Sequence, residues 1–225
     1  KSQEESFRLN MSPPEKWLLF QNIAKVVSDY DWHVLNATKN SLILTIFSVF
    51  FLIIISGMTG FVMHRKRNRT SGIANFLVLT ALVIPPAIVP TIWVLQRIGL
   101  YKTLAGMIAI EVAYGLAFAV LIFRNFIGTI PKEIDEAAIV DGCTGWNLYF
   151  RIIFPLLKPV SITIGIISTA AVFNDFTNPL YYLPGDENAT LQQTLFAYVS
   201  RYSTQYNLLF ADILYITAFP LLAFI

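Results

Sequence analysis

The run SLILTIFSVFFLIIISGMTGFVM, residues 41–63, carries no charged side chain. A hydrocarbon core about 30 Å thick takes roughly 20 residues of helix, so this run is long enough to cross a bilayer. TSGIANFLVLTALVIPPAIVPTIWVLQ, residues 70–96, is equally free of charge. Three further runs hold one acid each: 103–123 with Glu111, 159–183 with Asp175 and 207–225 with Asp212. Apolar residues are contiguous in all five, where a transmembrane strand would alternate, so the spans are helices. The expected fold is all-α, a polytopic transmembrane helix bundle.

Composition agrees. The 225 residues are 56% hydrophobic and 13% charged, against about 25% charged in an ordinary soluble domain. A lone cysteine, Cys143, excludes an internal disulfide framework, and His33 and His64 lie too far apart in sequence to support a metal-centred enzyme. The net charge of +2 gives no footprint for nucleic acid.

The turn HRKRNR, residues 64–69, has four Lys/Arg directly after the first run. Short Lys/Arg-rich loops stay in the cytoplasm, and acidic residues weigh little in that rule. Counting spans forward puts residues 97–102 outside, 124–158 inside and 184–206 outside. Residues 1–39 are then external, with Trp17, Leu18, Phe20, Ile23, Ala24 and Val27 spaced for an amphipathic helix along the membrane or against the spans. The chain opens at Lys1 and stops at Ile225 inside an apolar run. We therefore expect one more span upstream and a cytoplasmic tail downstream.

The cytoplasmic loop has its own pattern. Glu133, Asp135, Glu136 and Asp141 crowd between Pro131 and Gly142. Proline suits a first helical turn, acids suit its positive end, and glycine suits a left-handed cap. The spacing predicts a helix over 131–141, roughly 16 Å long. Ile134, Ala137, Ala138 and Asp141 would share one face, small enough for close approach by a partner whose basic groups meet the acids. Thr144 would cap a second, aromatic-rich helix, with Pro155 and Pro159 breaking the chain before the next span.

Within this loop, EAAIVDG at 136–142, nine residues to Ile152, and FPLLKP at 154–159 resemble the EAA motif of bacterial ABC importer permeases. Glu136, Ala137, Ala138, Gly142, Ile152 and Pro155 match the motif; Phe154 stands where leucine is usual, and Cys143 where alanine is common. NSLIL at 40–44, LVIPPAIVP at 82–90, RNFIGTIPKEIDEAA at 124–138 and FNDFTNPLYYL at 173–183 are similar to the carbohydrate-uptake branch, with Phe173 where tryptophan is usual. The resemblance implies a type I importer permease of six spans, five of them present here. It implies a second homologous permease subunit, two cytoplasmic ATPases that bind ATP-Mg, an extracellular solute-binding protein and a bacterial cytoplasmic membrane. The solute would be a sugar or oligosaccharide; glycerol phosphate or a polyol is the alternative. Glu133, Asp135, Glu136, Ala137, Ala138, Asp141 and Gly142 would couple to the ATPases. The chain has no phosphate-binding loop of its own, and is read as a pore subunit, not an enzyme.

Acids within spans are functional candidates by default. Asn174, Asp175 and Glu111 would line the translocation path; the competing reading of Asp175 is a bond that caps a partly unwound span. Asp212, near the outer end of its span, would be solvated. Pro85, Pro86, Pro90 and Pro179 would kink their helices. In the outer loop Tyr198, Arg201, Tyr202 and Tyr206 are candidates for contact with a docking protein, against a plain solvated loop. The rival class, a secondary transporter or channel, would instead use the intramembrane acids for protons or ions.

Overall fold

The computed structural model describes residues 2–7, 13–14, 17–28, 33–66, 68–185, 187–198 and 205–224, among which there is no strand. In chain order the elements are α1 Gln3–Phe7, α2 Leu19–Ser28, α3 His33–Arg65, α4 Arg69–Val83, α5 Ile88–Arg97, α6 Leu104–Ile127 and α7 Lys132–Val140. Then follow α8 Gly145–Asn147, a π-helical turn Leu148–Ile153, α9 Phe154–Leu156, α10 Lys158–Phe173 and α11 Thr177–Tyr182. A 3₁₀ helix Leu191–Tyr198 and α12 Tyr206–Phe224 complete the chain.

α3 and α6 are each long and apolar enough to cross a membrane. Gly145–Leu156 and Lys158–Phe173 make a further candidate bent by 75°, while α4 and Tyr206–Leu221 are shorter apolar helices. α3 has 33 residues, about 50 Å at 1.5 Å per residue. It starts at His33 rather than near residue 41, so the end of the expected external segment belongs to this helix. Asn68 starts the next helix by accepting the Ser71 N–H on its side chain at 2.9 Å.

Two runs expected to be continuous are divided. Residues 70–96 split into α4 and α5 with Pro85 and Pro86 in the break, because neither proline has an N–H to return to the preceding turn. Pro90 lies in the first turn of α5, where no bond is lost. Likewise 159–183 splits into α10 and α11. Pro179 stands in the first turn of α11 and is buried; the break precedes it, since it has no N–H for the Asp175 carbonyl.

The fold contains two compact units: Ile46–Thr91 with Ile108–Thr169, and Lys1–Thr45 with Ile92–Met107 and Ala170–Ile225. In the former, Phe123, Ile127, Ile153, Leu157 and Ile164 form the centre of an apolar core that also takes in Ala138 and Tyr149. α4 buries no residue; its Asn75 is held by the Arg124 guanidinium. The other unit has its core around Val26, Val34, Phe173, Leu191 and Leu208. There α2 packs on α12, with Val26 fully buried and Trp17 and Phe20 exposed. The amphipathic helix expected around residues 17–27 is α2, and it packs on its own unit.

Glycines set the closest helix approach. A Cβ on Gly60 of α3 would lie 3.0 Å from the Arg124 backbone N and 3.0 Å from Phe123 Cβ of α6. One on Gly115 would lie 3.0 Å from the Leu52 side chain. Lipid tails are as apolar as leucine, so helices in a bilayer associate through such tight packing. Gly72 of α4 faces open space. We expect Gly60→Ala to lower the melting temperature in detergent, because two backbones must separate. Gly72→Ala should leave it unchanged or raise it, by the ~0.5–1 kcal/mol that alanine gains in a helix. Equal effects of the two substitutions would refute the close-crossing account.

Candidate functional site

α7 begins after Pro131, whose extended ψ of 141° makes it the flanking residue, with Glu133 and Asp135 in the first turn. It ends in a Schellman turn. Gly142 adopts φ +85°, its N–H reaches the Ile139 carbonyl at 3.0 Å, and the Cys143 N–H reaches the Ala138 carbonyl at 2.8 Å. Cys143 and Ala138 both belong to the surrounding apolar core, which is the apolar contact this turn usually brings. A small residue at position 143 is therefore structural.

The faces of α7 differ from expectation. Asp135 and Ala138 are buried and Ile134 is half-buried, while Glu133, Glu136, Ala137, Asp141 and Gly142 are exposed. The expected common face of Ile134, Ala137, Ala138 and Asp141 is thus split between core and surface. Ile139 and Val140 are exposed as well, Val140 at 86%, so the outward face is apolar as much as acidic. Asp135 is not available to a partner. Its Oδ2 lies 2.6 Å from Arg65 Nε, and Arg65 also donates to Asp135 Oδ1 at 3.3 Å and to the Ile130 carbonyl at 3.1 Å. The pair ties α7 to the end of α3. In sequence Arg65 is one of four Lys/Arg in a basic turn, and only the fold reveals its acid 70 positions away.

Beyond Gly142, Thr144 flanks α8 without a side-chain bond to it. The chain then runs through α8, the π-turn and α9 without breaking at Pro155; the 75° bend comes at Leu157. An i→i+5 turn just before a proline absorbs the missing bond that an α-helical register would have required. Pro159 stands in the first turn of α10.

The polar groups of the other unit are mostly structural. Asp175 accepts from the Asn178 N–H at 3.2 Å and the Asn178 side-chain amide at 2.6 Å, holding the start of α11. That fits its capping role. Asn174 is exposed, donates to the Ala170 carbonyl at 2.9 Å and accepts from Gln192 at 3.2 Å. Glu111, in the same unit as α7, is buried within α6. Asp212 is a correction: it is fully buried rather than solvated, and its Oδ2 accepts from Thr194 Oγ1 at 2.9 Å.

Nor is the loop expected to lie outside simply solvated. Asn40 donates to the Glu187 and Ala189 carbonyls at 3.1 and 3.2 Å, and Ser41 Oγ accepts the Leu191 N–H at 2.8 Å. Leu191 and Tyr198 are buried, so Tyr198 is no free contact residue; Arg201 and Tyr202 lie outside the described residues. The NSLIL stretch marked Asn40 and Ser41 without indicating which backbone groups they would meet.

Comparison with known proteins now gives this geometry a context. Residues 40–225 match the family described as "Binding-protein-dependent transport system inner membrane component". The probable starch degradation products transport system permease protein AmyC of Thermoanaerobacterium thermosulfurigenes is 28% identical, with 92% of this chain and 75% of that protein aligned. The diacetylchitobiose uptake system permease protein NgcG of Streptomyces coelicolor is 28% identical over 99% of this chain and 74% of its own. Among solved structures, a chain of a bacterial ABC transporter involved in import of the acidic polysaccharide alginate superposes with a TM-score of 0.81. It has 18% identity and covers 91% of this chain and 77% of its own length.

Two outcomes test the site geometry. Arg65→Leu or Asp135→Leu alone leaves an uncompensated buried charge, a loss of about 3–5 kcal/mol, while the double substitution should be much milder in a thermal unfolding series. Additive losses would mean that the pair does not act as a unit. Asn40→Ala should weaken the 187–191 anchor by roughly 1–3 kcal/mol, read as faster proteolysis within residues 184–205.

Proposed function

Because the chain belongs to the binding-protein-dependent transport system inner membrane components, we propose that it is a pore-forming permease subunit of an ATP-driven importer for a sugar or oligosaccharide. Its solute class rests on its relatives, the probable starch-product permease AmyC and the diacetylchitobiose permease NgcG. The observation that carries the coupling role is the two-sided build of α7. One side is bound to the protein through the Arg65–Asp135 pair and buried Ala138. The other offers Glu136, Ile139 and Val140 outward.

That arrangement suits an element that must be gripped by one body and move another. A cytoplasmic ATPase binds ATP-Mg and closes on its counterpart; a cleft on its surface takes the apolar tip of α7, and a basic group there meets Glu136. Because Asp135 is locked to Arg65, displacement of α7 is passed to the end of α3 instead of being lost in a flexing loop. The π-turn and α9 carry the same displacement to α10. Repeated with a second permease subunit, this alternates access between the two faces of the membrane for a solute delivered by an external binding protein. Metal and nucleotide belong to the ATPases; toward them this chain supplies a docking face, and toward the solute its share of the pore.

Charge reversal at the docking face tests the proposal. In the assembled transporter, Glu136→Lys should reduce ATP-dependent uptake at least about tenfold, equivalent to ~1.4 kcal/mol of coupling, while the chain still inserts in the membrane. Val140→Asp should weaken retention of the ATPase on purification. Undiminished uptake in both variants would exclude α7 as the coupling element.

A further inference from the structure

A groove lies where α3 leaves the apolar run 41–63, and the transport reading makes no use of it. Met58, Phe61 and Val62 of α3, Lys66 just beyond that helix, and Trp146 and Tyr149 line it; the cavity is about 350 Å³. The Phe61 and Tyr149 rings lie 5.6 Å apart across its base. Trp146 is 68% exposed and is held flat on Phe150, ring centroids 6.0 Å apart and 10° from parallel.

Depth, charge and aromatic character all bear on the occupant. The apolar wall is continuous with a helix long enough and apolar enough to cross a bilayer, so on the transport reading it meets the acyl region at the cytoplasmic end of that span. Lys66 comes one helical turn after Val62, to whose carbonyl its N–H bonds at 2.9 Å, just past the end of the uncharged run. Arg65 is neutralised by Asp135. Among the described residues no carboxylate pairs with exposed Lys66 or Arg69. A tryptophan beside a free lysine at the end of a spanning helix is the composition of a headgroup zone, and basic pockets on the cytoplasmic side attract anionic lipid.

We propose that this groove binds an anionic phospholipid of the cytoplasmic leaflet, an acyl chain along Met58, Phe61 and Val62 and its phosphate on Lys66, beside Trp146. This rests on the cytoplasmic placement of the loop in the transport reading. A soluble partner's surface would have to enter the acyl region to reach Phe61. Lipid is there already.

The test replaces Trp146 by the photocrosslinking residue p-benzoylphenylalanine in the full chain in native membranes, with mass analysis of the crosslinked lipid. The same replacement at Phe76, exposed on α4, reports bulk lipid. Phosphatidylglycerol should be enriched about fivefold at position 146 over position 76, the factor expected for one lysine at an anionic surface. The enrichment should disappear in Lys66→Gln and survive in Lys66→Arg. Bulk composition at position 146, or crosslinks to protein alone, would overturn the proposal. Should the crosslinking variant fail to insert, native mass spectrometry of the unlabelled transporter decides. Phosphatidylglycerol retained by the parent protein and lost by Lys66→Gln supports the site, and equal retention overturns it. Neither readout involves ATP or solute, so its result is independent of the uptake assay.

Discussion

The middle of a bilayer offers no water, so a polar group placed there must find its partner within protein. Helical backbone meets this demand almost everywhere, and the exceptions organise the molecule. Hydroxyl side chains turn back on their own helices: Thr38 to the Val34 carbonyl, Ser56 to Leu52, Thr163 to Pro159 and Thr217 to Ile213. Where the backbone is interrupted, side chains replace the missing bonds. Asp175 holds the restart of the chain at α11, and Asn40 and Ser41 meet the backbone of 187–191.

The same constraint explains what the sequence could reveal. Uncharged runs of spanning length are visible in one dimension, and so are the distortion at Pro85 and Pro86, read as a kink where the helix in fact divides, and the cap at Gly142, since each depends on neighbours a few residues away. Arg65 with Asp135, Thr194 with Asp212, and Asn40 with Ala189 depend on chain crossings that no local spacing encodes. Asp212 misled for that reason: an acid near a span end looks wet until the 3₁₀ helix bearing Thr194 covers it. The faces of α7 misled differently. Helical spacing grouped Ile134, Ala137, Ala138 and Asp141 correctly by angle, but the Arg65 pair rotates the buried stripe toward Asp135.

Placement of an ion pair on the inner side of α7 has an energetic logic. Isolated exposed pairs contribute little, whereas one at the rim of a core, with side chains 10% and 13% exposed, fixes the rotation of a short helix. Nine residues are too few to hold helical form unaided in water. The pair, the buried Ala138 and the Schellman turn therefore act together to present Glu136, Ile139 and Val140 in a set orientation.

That closing turn also gives the molecule its own chemical clock. Cys143 is the sole thiol in the sequence; it is partly shielded and its backbone N–H completes the turn. An alkylating reagent reaches the sulfur in part as it stands and more fully when the turn is undone. Opening of the end of α7 therefore adds to the reaction rate of this sulfur, a change that can be followed as nucleotide or lipid is varied.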